Sequence, residues 1–107
     1  MAKTINLPTE FSKFTGLRYE KLTPGASGEE FRDNYLVPAL ESNDTVTIIL
    51  DGNIGEYVPS FIEECFGGLI RVTKYSYKEF EKKVIIVSED NPELIDDIKH
   101  YVKRETG

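Results

Sequence analysis

Thr45-Val46-Thr47-Ile48-Ile49-Leu50, stopped by Asp51-Gly52-Asn53, is the stretch that decides the fold of this 107-residue chain. It is β-branched and almost continuously apolar, the pattern of a central strand covered on both faces or nearly so. Val84-Ile85-Ile86-Val87 repeats that character and reads as a second buried strand. Lys3-Thr4-Ile5-Asn6-Leu7 instead alternates polar with apolar, as a half-buried strand does, and Pro8 ends it. Phe11, Phe14, Leu17 and Tyr19 follow at irregular spacing around Gly16, a pattern that fits either a further strand or an ordered loop.

Helical patterns fill the intervals. Ser27 with Glu30, Ser60 with Glu63 and Ser76 with Glu79 each have the spacing of a capping box, in which hydroxyl and carboxylate satisfy first-turn amides. After Ser27, residues Phe31, Tyr35 and Ala39 share a stripe with Leu36 and Leu40 beside it, and Pro38 should bend or end this helix early. After Ser60, residues Phe61, Ile62, Cys65, Phe66, Leu69 and Ile70 mark a broad apolar stripe. The last helix follows Asn91-Pro92, with Leu94, Ile95, Ile98, Tyr101 and Val102 inward. Its acids near the start and bases near the end suit the helix dipole. Strands alternating with helices in this order imply an α/β sheet with parallel crossovers.

Composition narrows the function. With 13 basic and 19 acidic side chains the net charge is −6, which disfavours nucleic acid and anionic membranes as partners. No apolar run approaches a membrane span, and Met1-Ala2-Lys3-Thr4 leads into no signal-like segment. A single cysteine, Cys65, excludes an internal disulfide and any cysteine-cluster metal site. These features point to one small cytoplasmic domain spanning residues 1–107, with no cofactor.

The residues offer little for catalysis. The one histidine, His100, falls on the outer side of the last helix, where it reads as a solvated surface residue; Cys65 lies on an apolar stripe, where a thiol behaves as a small hydrophobe. Asp51 and Glu56 follow the central strand, where carboxylates can hold magnesium, but turn chemistry explains Asp51-Gly52 equally. No phosphate-binding glycine loop is present. More telling is Gly67-Gly68 inside a helix, where each glycine costs about 1 kcal/mol relative to alanine. With the apolar stripe inward, Glu63, Glu64, Gly67, Gly68 and Arg71 form an outward strip. It reads either as a docking surface for another protein or as close packing against a neighbouring helix. Ser60 opens the helix after the central strand, where a phosphate would meet the positive helix end; an ordinary helix cap is the plain alternative.

Two blocks, Ser27-Gly28-Glu29-Glu30-Phe31-Arg32 with Leu36-Val37-Pro38-Ala39-Leu40, and Ser60-Phe61-Ile62-Glu63-Glu64-Cys65-Phe66-Gly67-Gly68-Leu69, resemble the bacterial STAS-like family of unknown function. The resemblance implies a STAS-like α/β fold, with a mixed sheet of four to five strands flanked by helices. It is distantly similar to anti-sigma factor antagonists, which bind a kinase-like protein and are released by phosphorylation of a serine after the central strand. Ser60 occupies the comparable place, although Tyr57-Val58-Pro59-Ser60-Phe61 stands where antagonists carry Asp-Ser-Ser-Gly. The expectation is a non-enzymatic regulatory module that binds a kinase-like ATPase or anti-sigma-type protein. Its expected phosphosite is Ser60, and its expected surface is Glu56, Tyr57, Ser60, Glu63, Glu64, Gly67, Gly68 and Arg71. The rival readings are a small-ligand or nucleotide sensor, an inhibitory interaction protein of a mobile element, and a metal-assisted phosphotransfer enzyme.

Overall fold

Three apolar runs become strands: β1 (Ala2–Asn6), β2 (Thr45–Ile49) and β3 (Val84–Val87). The computed structural model describes residues 1–106, and within them these strands form one parallel sheet in the order β1-β2-β3. Ile5 lies beside Ile48, and Ile48 beside Ile86. Between and after the strands run helix α1 (Leu7–Glu10), α2 (28–42), α3 (59–73), α4 (Tyr77–Lys83) and α5 (Glu93–Thr106).

Both crossovers advance the same way across the sheet, so right-handed connections carry α2 and α3 to a single face. There α3 lies between α2 and α5 and touches both. The core forms where these helices meet the sheet: Ile5, Val46, Ile48 and Val84 from the strands, Phe31 and Leu36 from α2, Phe61, Cys65, Phe66 and Leu69 from α3, and Ile98 and Val102 from α5.

The strand pattern was expected to be richer. The sheet is parallel rather than mixed, with three strands rather than four to five. Residues 8–20 add none. The Asn6 side chain accepts from the Thr9 amide and starts the one-turn α1, with Pro8, which has no amide to give a ladder, in its first turn. The chain then runs as an irregular loop to residue 26, tied by Gly16 N–H to the Ala26 carbonyl at 2.8 Å and by Gly28 N–H to the Leu17 carbonyl at 3.0 Å.

The central strand is also covered on one face only. Val46 and Ile48 are buried, while Thr45, Thr47 and Ile49, which alternate with them, are half-buried. Across the same open face stand Thr4, Thr47 and Ile85, in register.

Two of the three capping boxes form, at Ser27 with Glu30 and at Ser76 with Glu79. Pro38 neither ends α2 nor stops it early. The helix widens into a π-helical turn over Arg32–Leu36, where the Val37 amide bonds back to the Arg32 carbonyl, and the chain continues to Ser42. Such an insertion relieves the clash of a proline ring with the preceding turn.

Candidate functional site

The residues singled out for function lie on the loop after β2 and along α3. Helix α3 begins one step earlier than its serine suggests. Val58 is the extended residue at its N-terminus, and Pro59, whose fixed φ suits a first helical position, follows. Ser60 is therefore inside the first turn, half-buried, and no side chain caps this helix; the expected capping box with Glu63 does not form. The Glu63 carboxylate is occupied elsewhere. It accepts from Arg71 at 2.7 and 3.1 Å and pairs with Arg18 from the loop before α2. The hydrogen bonds from Arg71, then those from Arg18, hold the Glu63 carboxyl below its ordinary range and outweigh its partial burial. Arg18 is pushed up in return, chiefly by its bond to Glu63.

The glycine strip lies in a seam between α2 and α3. Arg32 of α2 reaches across to Glu64 of α3; their side chains are 9% and 8% exposed, and Asp33 accepts from the Arg32 Nε at 2.8 Å. Arg18 also donates to Glu64, at 3.0 Å. Helix α3 widens into its own π-helical turn here, over Glu63–Gly67, where the Gly68 amide bonds to the Glu63 carbonyl. The two π turns thus face each other across a line of buried charge.

Glycine is what permits the approach. A Cβ on Gly28 would stand 2.6 Å from the Phe61 carbonyl oxygen, and one on Gly68 would stand 2.5 Å from Arg32 Nη1. Glu64, Gly67 and Gly68 are buried rather than outward-facing; Arg32 of the neighbouring helix fills the space beside Gly68, whereas beside Gly67 lie Glu63 and Arg71 of α3 itself. The sequence reading missed Arg18, Arg32 and Glu105, which bonds Arg71 at the outer end of the seam. Gly68 was the signal for Arg32, because bare backbone in a helix interior can mark where a long side chain from elsewhere lies.

The remaining expected residues separate. Glu56 is exposed on the loop. Tyr57 turns inward and donates to the Leu50 carbonyl at 2.7 Å, and burial pushes its hydroxyl well up. Ser60 borders a shallow pocket of about 450 Å³ lined by Arg18, Arg71, Arg104 and Tyr101, with Glu63 and Glu105 between them.

Asp51 is engaged as a clamp: it accepts from the Glu89 and Asp90 amides at 3.0 and 2.8 Å and fixes the loop after β3. Beside it, at the carboxyl ends of β2 and β3, is an open crevice of about 570 Å³ whose lining includes Asp51, Glu56, Asp90, Glu93 and Asp97. Among the described residues no three His, Cys, Asp or Glu side chains converge as metal ligands. Cys65 is fully buried, with its thiol toward the Gly28 carbonyl at 3.7 Å, and burial raises its pKa. His100 lies exposed on α5.

A three-stranded parallel sheet with its helices on one face, joined by a charged seam, makes a small α/β domain. The chain belongs to the family described as the STAS-like domain of unknown function, whose model matches residues 27–94, from the cap of α2 to the first turn of α5. No curated protein and no solved structure matches the chain. No helix of the described residues is long and apolar enough to cross a membrane.

Proposed function

We propose that the domain is a non-enzymatic regulatory module that binds another protein through the loops at the carboxyl ends of β1 and β2. One observation carries this reading. Phe14, Leu17, Tyr19, Leu22 and Ile54 stand exposed on just two loops, Phe14 at 64% and Ile54 at 55%. The Ile54 amide donates to the Lys13 carbonyl at 2.8 Å, so the two loops form one surface. Apolar side chains gathered in solvent on tied loops mark a place where another protein docks. The partner class implied by the family resemblance is a kinase-like ATPase or anti-sigma-type regulator.

Ser60, at the end of the second loop, is the regulatory phosphosite in this reading. A phosphate there would bring up to about two negative charges to a pocket edged by Arg18, Arg71 and Arg104. It would compete with Glu63 for the first two arginines, and so disturb the seam to which the docking loop is tied through Arg18. Affinity capture from the native host, followed by titration of the purified retained protein, tests this. Wild type should retain a partner, Phe14→Asp should lose it, and Ser60→Glu should weaken it. Equal affinity of wild type and Phe14→Asp would remove the docking surface, and equal affinity of wild type and Ser60→Glu would leave Ser60 without a switching role.

The acid-lined crevice favours a second reading, a sensor of a small cationic ligand. Its volume is in the range of ligand sites, and a melting-temperature rise with such a ligand, lost in Asp97→Asn, would support it.

A further inference from the structure

We infer that the outer edge of β3 is a strand-acceptor site, where an extended apolar segment of another protein adds as the fourth strand of the sheet. Among the described residues, strand β3 pairs with β2 alone. The Val87 carbonyl accepts from the Leu50 amide at 2.9 Å, so Val87, and Ile85 two residues before it, turn their backbone groups toward β2. Alternation then points the N–H and C=O of Ile86 away from the sheet. Among the described residues, no backbone group of a loop or helix bonds to them.

Beside this edge runs a groove of about 260 Å³, lined by Phe80, Val84, Ile86 and Ile95, with Glu81 and Lys99 at its rim. Helix α5 thus overhangs the position that a further strand would take.

The two edges of the sheet differ in how they are guarded. Natural sheets protect their edges with charge, proline or a bulge. Strand β1 carries Lys3, and Pro8 follows it. Strand β3 reads Val84-Ile85-Ile86-Val87 with no charge or proline inside the strand, its charges (Lys82 and Lys83) falling before it, and Ile85 is 47% exposed.

The size of the edge selects the occupant. A stable dimer needs roughly 800 Å² from each partner, far more than four edge residues supply, and two copies of net charge −6 repel each other. An added strand needs less: main-chain bonds to Ile86 and small pockets for alternate side chains. Its inward side chains would meet Phe80 and Ile95, so they are apolar, and its centre is uncharged. This site is separate from the loops proposed above for docking, and each can fail without the other.

The test uses the full chain, ¹⁵N-labelled, and soluble seven-residue peptides in which threonine alternates with valine, isoleucine, leucine or phenylalanine. At least one peptide should slow amide exchange at Ile86 by about tenfold or more. The same peptide with alternate backbone nitrogens methylated should not. Ile95→Glu should abolish the protection by filling the groove with charge, and Ile85→Lys, at an exposed position that spares the core, should weaken it. The inference is overturned if no peptide protects Ile86 or if the methylated peptide protects it equally. Protection that instead grows with protein concentration, without peptide, would overturn it in favour of a second copy.

Discussion

The seam between α2 and α3 and the loops at the carboxyl ends of β1 and β2 invert the usual arrangement of a small domain. The seam buries charge: Arg32 and Glu64 are almost inaccessible, and Glu63 is shared by two arginines. The loops expose grease, with Phe14 and Ile54 in solvent. In the seam every charge has a partner of opposite sign, which makes it a closed structural device. On the loops the apolar side chains have no such closure. Buried charge here reports on how two helices are held together, and exposed apolar surface reports on what the molecule does with other molecules.

The comparison would break first at Glu64. Removing one partner of a buried ion pair strands the other charge and costs about 3–5 kcal/mol, whereas replacing both with apolar residues of similar volume is often close to neutral. Because Arg32 keeps Asp33 as a partner, Glu64→Ala should lower the unfolding free energy by an amount at the low end of that range, about 3 kcal/mol, while Arg32→Met combined with Glu64→Leu should recover most of it. Urea unfolding of the three proteins checks this. A loss below about 1 kcal/mol in the single variant would mean that water reaches the seam and that it is not closed.

Acid sharpens the same contrast with a smaller effect. Glu63 has a depressed pKa, so its contribution is fully present above the ordinary glutamate value. It is lost as pH falls through the depressed one. Wild type should lose melting temperature below about pH 4.5 more steeply than Glu63→Gln, whose side chain does not titrate there. Parallel slopes for the two proteins would assign the acid sensitivity to other carboxylates.

Much of this division was legible in the sequence, but unevenly. The strands at 45–49 and 84–87 declared themselves because the β-branched pattern is local. Two capping boxes did so because each lies within four residues. The third failed at Ser60 because Pro59 competes for the same helix start, and Glu63 bonds to Arg18, 45 residues distant in sequence. The glycine pair stands out in the sequence, yet the neighbour that Gly68 makes room for is Arg32 on another helix, which periodicity along α3 cannot reveal. The open face of the sheet was hidden for a related reason. Thr47 and Ile49 suit a buried strand as well as a half-covered one, and only the direction of the crossovers decides between them.

The exposed loops should give the smallest effect on stability. Ile54 has its amide bonded to the Lys13 carbonyl, but its side chain is mostly in water, so Ile54→Ser keeps the backbone tie and removes only exposed surface. Substitutions of this kind usually lie within about 0.5 kcal/mol of neutral. Thermal unfolding of Ile54→Ser should accordingly match wild type within about 2–4 °C, in contrast to Glu64→Ala. A change comparable to that of Glu64→Ala would mean that the Ile54 side chain packs against the domain in solution. The loops would then be part of the core's closure, and the distinction between a sealed seam and an open docking surface would fail at its second term. A neutral result leaves the apolar side chains with no folding role to explain their exposure, and partner binding becomes the property on which they must be tested.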